Sequence, residues 1–337
     1  MSSPSSDIAE MIRQRPGMYI GDTDQRGVEH LIHELVANGL DQYLAGKANR
    51  IGVSWHDGHS ICVSDNGEGL PFDVPAAGSK TLAETYFTEL HATPTADGHS
   101  PHVHLNPGGV GLIVVSALSS FVEVVSHHAG FRWEQRFEKG HAAAPLRKTK
   151  SSARGTSITF APDAEVMSAQ APRWSMVRRR LFDTAHLFPG VMLGLQEETF
   201  NAPGGLLDLA EFEASEKDEA FTRHDQSAFK LNVELEDVHI NAAACGTAKT
   251  CHWRSWCNGM PTVEHGTHVA GFKDALKSAG WTPAAAMIHV LLKRPEFSAP
   301  TKSSLANKQV QSVVRRAVLD QLKRKDPAQN QSPTPHA

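Results

Sequence analysis

Cysteine is scarce in this sequence, and the cysteines present are not spaced for a metal site. The four of them contain no CxxC pair, which argues against structural zinc and predicts a reducing compartment. The sequence also lacks an apolar run long enough to span a bilayer, and a leader in which basic residues precede apolar ones. We therefore expect a cytoplasmic protein with no membrane partner.

A surplus of basic residues is missing as well. The formal net charge is −4, so no global field draws the chain onto nucleic acid. We expect contact with DNA only indirectly or through a partner. What the composition provides is 40% hydrophobic and 21% charged residues over 337 positions, which is enough for ordinary cores and predicts two domains.

The first strong pattern is an amphipathic helix over residues 26–46. At about 100° per residue, Glu34, Asn38 and Asp41 share one narrow stripe. The opposite, broad side is apolar, with Val28, Leu31, Ile32, Leu35, Val36, Tyr43 and Leu44. Taken alone, such a stripe is more often a solvated face than a binding site, so the helix by itself favours the solvated face.

The second pattern is a strand end followed by two glycines. Alternating apolar residues over 51–63 predict a β-hairpin that turns at 57–58 and leads into SDNGEGLP. Asp65 is followed by Gly67 and Gly69, which have no side chains. The backbone after Asp65 can therefore come close to any ligand that the carboxylate binds. Alone, this DxGxG pattern is equally compatible with a simple turn. Further on, PGGVG at 107–111 opens a predicted helix over 110–118, whose free backbone N–H groups form an anion site by geometry.

The sequence resembles the ATPase region of type IIA topoisomerase B subunits, which are the B subunits of gyrase and topoisomerase IV. The resemblance rests on three motifs that occur in the same order: EHLIHELVANGLD, SDNGEGLP and PGGVG. These subunits belong to the superfamily of gyrase, chaperone, histidine-kinase and mismatch-repair ATPases. The similarity starts with RQRPGMYIG at 13–21 and continues through Gly155-Thr156, CNGMP at 257–261, GTHVAGF at 266–272 and Thr301-Lys302. It implies an α+β protein, with a two-layer α/β sandwich ATPase domain followed by a ribosomal-protein-like α/β transducer domain.

We expect the ATP-binding domain in residues 1–164, the transducer domain in 165–325 and a disordered tail in 326–337. A long, loop-rich interval over 73–108 corresponds to the family's lid over ATP, and its histidines at 99, 102 and 104 are interpreted as loop residues in preference to metal ligands. Strands are predicted at 51–55, 60–64, 121–126, 131–137, 156–160, 191–197, 229–238 and 286–293. Helices are predicted at 173–187, 267–278 and 305–325, with an exposed, charge-rich segment at 211–226.

Hydrolysis of a γ-phosphate needs a base or orienting group for water, a divalent ion and charged donors. The resemblance implies these roles for Glu34 as the base, Asn38 as a ligand of Mg²⁺, and Lys302 as the γ-phosphate lysine. It implies that Asp65 accepts a hydrogen bond from the adenine amino group, with Thr156 supporting that contact through water. The other implied ATP-binding positions are Asp41, Gly67, Gly69, Leu70, Pro71, Gly109, Val110 and Gly111.

Several positions depart from the family pattern. Glu68 replaces an arginine between the two glycines and Gln42 replaces its acidic partner, so that both members of an ion pair are exchanged together. Pro300 replaces the glutamine of the QTK loop, and Glu134 stands where relatives carry an arginine that contacts aminocoumarin inhibitors. The segment before the RQRPGMYIG string is also shorter than the arm that relatives use to dimerise.

Two hypotheses follow. The first is an Mg²⁺-dependent ATPase that forms an ATP-dependent homodimer and couples ATP turnover to a topoisomerase-like assembly, without the domains that cleave DNA. The second is a non-hydrolysing, nucleotide-binding regulatory or decoy protein that engages topoisomerase subunits. The presence of Glu34, Asn38, Asp65 and Lys302 in the family's order supports the first. The second is supported by an altered lid, which reads LNPGGVG at 105–111 where the family has GGLHGVG, by Pro300 and by the short segment before RQRPGMYIG.

Overall fold

The computed structural model describes residues 7–56, 60–76, 79–90, 111–217, 227–298 and 302–325. The chain divides into two compact units between Ala202 and Pro203. The predicted tail at 326–337 lies outside the described residues, as do the histidines at 99, 102 and 104. None of the described helices is long and apolar enough to cross a bilayer.

The first unit combines helices with one large sheet. Its helices are α1 (Ile8–Gln14), α2 (Gly17–Ile20), α3 (Gln25–Leu44), α4 (Leu82–Thr88), α5 (Gly111–Ala117) and α6 (Trp174–Leu187). Its strands are β1 (Arg50–His56), β2 (Ser60–Asp65), β3 (Ser119–His128), β4 (Phe131–Glu138), β5 (His141–Ala142), β6 (Arg147–Lys150), β7 (Gly155–Pro162), β8 (Met192–Leu195) and β9 (Glu198–Phe200). The strand order is β5-β4-β3-β7-β2-β1-β8-β9, and β6 also pairs with β4.

Helix α3 confirms the strongest sequence prediction. The Asp24 side chain caps its N-terminus by accepting a hydrogen bond from the Arg26 backbone N–H. Its apolar side is buried, including Val28, Leu31 and Ile32. The helix lies close to the sheet, because a Cβ added at Gly39 would come within 2.9 Å of the Ile51 side chain.

The strands predicted for the first domain are confirmed as β1, β2, β3, β4 and β7. Strands β1 and β2 are antiparallel with Val53 opposite Val63, and both side chains are buried on the core face of the pleat. The turn predicted at 57–58 lies outside the described residues. The antiparallel order β3-β7-β2 places the C-terminal end of β2 beside the beginning of β7.

The interval over 73–108 is not a continuous loop, which differs from the sequence prediction. Helix α4 forms within it, with the Thr81 hydroxyl accepting a hydrogen bond from the Glu84 backbone N–H at 3.1 Å. Its Phe87 is fully buried and stacks on Phe137, with the ring centroids 4.8 Å apart. Burial of Ala83, Thr85 and Phe87, and not helix length, therefore holds this short element in place.

The unit boundary falls later than the boundary near residue 165 that the composition shift predicted. Strand β8 runs parallel to β1, with Leu193 opposite Ile51, and so extends the first sheet. Helix α6 confirms the prediction at 173–187 and packs on β8 and β9. The segment between residue 165 and Ala202 therefore completes the first unit.

The second unit is a mixed sheet with helices packed on it. Its helices are α7 (Leu206–Lys217), α8 (Thr267–Ser278) and α9 (Lys308–Lys325). Its strands, in the order β10-β11-β14-β12-β13, are β10 (Ala228–Leu235), β11 (Val238–Cys245), β12 (His252–Cys257), β13 (Met260–Pro261) and β14 (Ala285–Leu292). Its core includes Phe229, Phe272, Ile288, Val310 and Val314.

Helix α8 and strand β14 confirm predictions in the second unit, whereas three other features differ. Helix α9 starts after residue 305, because Leu305 forms β-bridges with Gly266 and Phe297. The strand predicted at 229–238 ends earlier, at Leu235, because Glu236 and Asp237 both have positive φ and turn the chain from β10 into β11. Residues 211–217, predicted to be exposed, belong to helix α7, in which Phe212, Ser215 and Glu216 are exposed but Ala214 is buried.

Candidate nucleotide site

The polar stripe of helix α3 is not a solvated face. Glu34 and Asp41 are each only 7% exposed, and Asn38 between them is half-buried. The Glu34 Oε1 atom lies 3.2 Å from Nε2 of His30, one helical turn earlier. A carboxylate is rarely buried at this depth without a partner or a function, so the solvated-face interpretation of the stripe is wrong.

The start of helix α5 lies directly against Glu34. A Cβ added at Gly111 would stand 2.5 Å from Glu34 Oε2, which is closer than any real side chain approaches. Because Gly111 has no side chain, the first turn of α5 can lie directly against the Glu34 carboxylate. Gly109 and Val110 lie outside the described residues, so their predicted phosphate contacts stay predictions.

Asp65 occupies the last position of β2, and Thr156 stands opposite it on β7. The Asp65 Oδ1 atom accepts a hydrogen bond from the Gly67 backbone N–H at 2.7 Å. Burial raises the pKa of Asp65 to about 6, although backbone N–H groups of Gly67 and Thr156 oppose that rise. The carboxylate is thus an acceptor held in place by backbone at the edge of the sheet.

The turn after Asp65 requires both of its glycines. A Cβ on Gly67 would stand 2.8 Å from Asp65 Oδ1. Gly69 has φ +81°, and a Cβ there would stand 2.3 Å from the His127 carbonyl oxygen. The Leu70 backbone N–H then donates to Ser126 Oγ at 2.7 Å. Leu70 is buried and the following Pro71 is half-buried, so the predicted GEGLP segment is packed against β3.

Residues 23–166 match the family of histidine kinase-, DNA gyrase B-, and HSP90-like ATPases. The matched part lies within the first unit. It contains helix α3, the Asp65 turn and Thr156, so the site residues of the first unit described above fall inside the matched region.

The similarity to known proteins extends beyond that domain. The chain is 31% identical to the DNA gyrase B protein of Thermotoga maritima over 94% of its own length and 55% of the relative's. It is 32% identical to the DNA gyrase B protein of Clostridium acetobutylicum, over 90% of the chain and 52% of the relative. The chain thus spans about half the length of the curated relatives it matches.

A solved structure gives the same result for the fold. The 43K ATPase domain of Thermus thermophilus gyrase B, in complex with an aminocoumarin, aligns with a TM-score of 0.78 and 27% identity. The alignment covers 95% of this chain and 91% of that one. The α+β fold predicted from the motifs is confirmed, and so is the resemblance to the ATPase region of gyrase and topoisomerase IV B subunits.

The contacts of Glu68 in the first unit show how the exchange of Glu68 and Gln42 is accommodated. Glu68 Oε1 pairs with Lys47 Nζ at 2.9 Å, and the Gln42 side-chain oxygen accepts a hydrogen bond from the Glu68 backbone N–H at 3.3 Å. The glutamine still holds the turn, while the carboxylate takes a different cation. The exchange therefore leaves no uncompensated charge on Glu68.

Sequence reasoning missed three residues that support the candidate site of the first unit. His30 was detectable, because it precedes Glu34 by four residues on the same helix. Ser126, which fixes Leu70, and Asn66, whose Oδ1 accepts hydrogen bonds from the Asn49 and Arg50 backbones at 2.9 Å, were not detectable. Their partners are distant in sequence or depend on the hairpin register.

Lys302 lies in the second unit, in a loop whose anchoring is well defined. The residue has φ +56°, and the next residue, Ser303, donates its hydroxyl to Glu264 Oε2 at 2.8 Å. The Glu264 backbone N–H donates in return to the Ser303 carbonyl at 2.9 Å. A non-glycine residue held at positive φ by its neighbours is a typical feature of functional loops.

Proposed function

We propose that this chain is an Mg²⁺-dependent ATPase that dimerises when it binds ATP and couples turnover to a topoisomerase-like assembly. The observation that carries the proposal is the buried Glu34 carboxylate against Gly111, at the start of α5. Among the described residues, the Glu34 carboxylate has the His30 imidazole as a partner and faces the start of α5. A carboxylate in this position suits a base for water beside a phosphate-binding turn.

Adenine recognition is assigned to Asp65. Its carboxylate is fixed by Gly67 and stands beside Thr156, on rigid strands and not on a loop. An acceptor in this place suits the amino group of adenine, whereas guanine presents a carbonyl oxygen at the equivalent position. The site is therefore expected to prefer ATP over GTP.

Asn38 fits the role of magnesium ligand. Its side chain is half-buried, one turn of α3 beyond Glu34, and its amide makes no hydrogen bond among the described residues. An amide oxygen is a hard ligand of the kind that Mg²⁺ binds together with phosphate oxygens and water. When bound, the ion would neutralise charge on the phosphates.

Glu34 would then orient the attacking water and take its proton on a carboxylate oxygen. His30 Nε2, 3.2 Å from Oε1, is placed to orient the carboxylate. Lys302 is proposed to contact the γ-phosphate and to transmit its loss to the second unit. Gly67, Gly69, Leu70, Pro71 and Asp41 would complete the pocket with Gly109, Val110 and Gly111.

Two measurements on the purified chain test this function. Phosphate release from ATP should depend on added Mg²⁺ and stop when the metal is chelated. The mass in solution should double with a non-hydrolysable ATP analogue and stay that of a monomer without it. A protein that binds ADP but neither hydrolyses ATP nor changes mass would contradict the proposal.

That last result would favour the second candidate, a nucleotide-binding decoy that engages topoisomerase subunits. The features behind it are the lid sequence at 105–110 and Pro300, both outside the described residues, and the short segment before RQRPGMYIG. Copurification with and without the ATP analogue separates the two candidates. An energy-coupling gate should recruit its partners in a nucleotide-dependent manner, whereas a decoy that never turns over should bind them in both conditions.

The same pocket is proposed to bind aminocoumarins poorly. Glu134 stands where relatives carry an arginine, and its Oε1 pairs with Arg132 Nη2 at 2.9 Å. With glutamate in place of arginine, the inhibitor loses a charge-assisted hydrogen bond worth roughly 1.5–3 kcal/mol. The affinity for aminocoumarins should therefore be at least about tenfold lower than that of an ordinary gyrase of this family. Calorimetric titration checks this, and Glu134→Arg should recover part of the difference.

A further inference from the structure

The second unit contains a basic cavity that the proposed function does not use. It has a volume of about 540 Å³ and lies between the loop after β11, strand β12 and the end of α8. Lys249, Lys273 and Lys277 line it together with Trp253 and Trp281, and no aspartate or glutamate does. Cavities of this size are typical of small-molecule sites.

The three ammonium groups are not neutralised locally. Within the part of the chain that the structure describes, none of these lysines makes an ion pair. Lys273 and Lys277 are four residues apart on α8, so they project from the same face of the helix. The negative end of the α8 dipole explains Lys277 in the last turn, but it does not explain Lys249 or Lys273.

The walls of the cavity are fixed. The Trp281 indole N–H donates to the Gly246 carbonyl at 2.9 Å, and the Ala248 backbone N–H donates to the Thr282 carbonyl at 3.0 Å. Trp253 packs edge-on against Phe272, with centroids 5.5 Å apart. Rigid aromatic walls lose little entropy when a flat ligand binds.

The Cys251 thiol at the cavity adds no negative charge. Burial raises its pKa to about 12, even though the Lys273 ammonium acts in the opposite direction. Lys273 Nζ also lies 5.0 Å from the centre of the Trp253 ring. Positive charge and an aromatic surface are therefore adjacent at one wall.

We propose that this cavity binds a small anion that carries a planar ring, a ligand of the nucleoside monophosphate class. The phosphate would lie between the ammonium groups of Lys273 and Lys277, with Lys249 completing its neutralisation. The ring would pack on Trp253 or Trp281, as nucleobases do on exposed aromatic side chains. The residues that line this cavity are distant in sequence from Asp65 and Glu34.

The test is calorimetric titration of the full chain with uridine monophosphate at low salt, beside uridine and inorganic phosphate. Uracil lacks the amino group that suits Asp65, so the first site should contribute little. The monophosphate should bind at least about tenfold more tightly than either fragment, since ring and phosphate both contribute. Equal affinity for inorganic phosphate would overturn the ring assignment.

Matched variants locate the binding. Lys273→Gln with Lys277→Gln should weaken the monophosphate at least about tenfold, and Lys249→Gln should weaken it to a smaller extent. Lys308→Gln with Lys323→Gln removes the same charge from α9 and should have no effect. Equal losses in both double variants would overturn the proposal. The proposal would also be overturned if a short DNA duplex bound through the cavity lysines and the monophosphate did not bind.

Discussion

Asp65 and Thr156 stand directly opposite each other on the antiparallel strands β2 and β7. Thr156 is only 5% exposed, and its backbone N–H helps to hold the pKa of Asp65 down against the effect of burial. The two residues are far apart in the sequence, and the sheet makes them neighbours. The proposed recognition of adenine thus depends on strand register, a rigid feature of the first unit.

Removal of the Asp65 carboxylate should abolish base selectivity. The wild-type chain is expected to bind ADP at least about tenfold more tightly than GDP, because a charge-assisted hydrogen bond is worth roughly 1.5–3 kcal/mol. Asp65→Ala should bind both nucleotides weakly and about equally. Titration calorimetry with the two nucleotides measures this, and a preference for ADP that survives in Asp65→Ala would show that another group reads the base.

The raised pKa of Asp65 predicts a pH dependence of stability. The folded-state pKa is about 6 and the ordinary pKa of the side chain is 3.8, so the folded protein binds the proton more tightly. This stabilising effect is complete below about pH 4 and is lost as the pH rises through about 6. Relative to Asp65→Asn, the free energy of unfolding should therefore increase by roughly 1 kcal/mol from about pH 7.5 to about pH 5. Urea unfolding at both pH values measures it, and a constant difference would contradict the assigned shift.

Gly69→Ala should destabilise the protein more than Gly46→Ala. Both glycines have positive φ, at +81° and +71°, but a Cβ at Gly69 meets the His127 carbonyl at 2.3 Å whereas a Cβ at Gly46 meets nothing within 4 Å. Strain from φ alone costs about 1–2 kcal/mol, and the close contact should add roughly 1–3 kcal/mol more. Denaturant unfolding compares the two variants, and equal losses would mean that the turn after Asp65 adjusts without cost.

Gly111→Ala should reduce turnover without loss of stability. Alanine favours a helix over glycine by roughly 0.5–1 kcal/mol, but here its Cβ would displace the Glu34 carboxylate. A shift of about 1 Å in a catalytic group can lower the rate roughly 100-fold. Gly17→Ala, with open space around its Cβ, is the control for helix propensity. Unchanged phosphate release in Gly111→Ala would place Glu34 outside the reaction.

Long periodic elements were predictable from the sequence, whereas a short helix and an alanine-rich strand were not. Helix α3 has enough turns to show its apolar side, whereas α4 is a seven-residue helix with too few positions for a period. Strand β11 escaped prediction because Ala242, Ala243 and Ala244 are buried without alternation and form an alanine run, whereas the equally buried β14 ends in the apolar residues IHVLL that indicate a strand.

The candidate site follows the same division. Residues that are proposed to carry the chemistry, such as Glu34 and Asp65, lie in short sequence motifs and can be recognised without the structure. Residues that hold the site together, such as Ser126 and Lys47, act across distances along the chain that only the fold determines. The burial of Glu34 was likewise invisible in the sequence, because helical spacing gives a face but not what covers it.

The proposed role of Glu34 in ATP hydrolysis is tested by measuring phosphate release by the wild-type chain and by Glu34→Gln, with excess Mg²⁺ and saturating ATP. Loss of a general base typically costs about 10²–10⁴-fold, so the variant should release phosphate at least about 100-fold more slowly while it binds ADP as before. Glu10→Gln, an exposed position on α1, should match the wild type. Equal rates for wild type and Glu34→Gln, or no release by the wild type, would contradict the account.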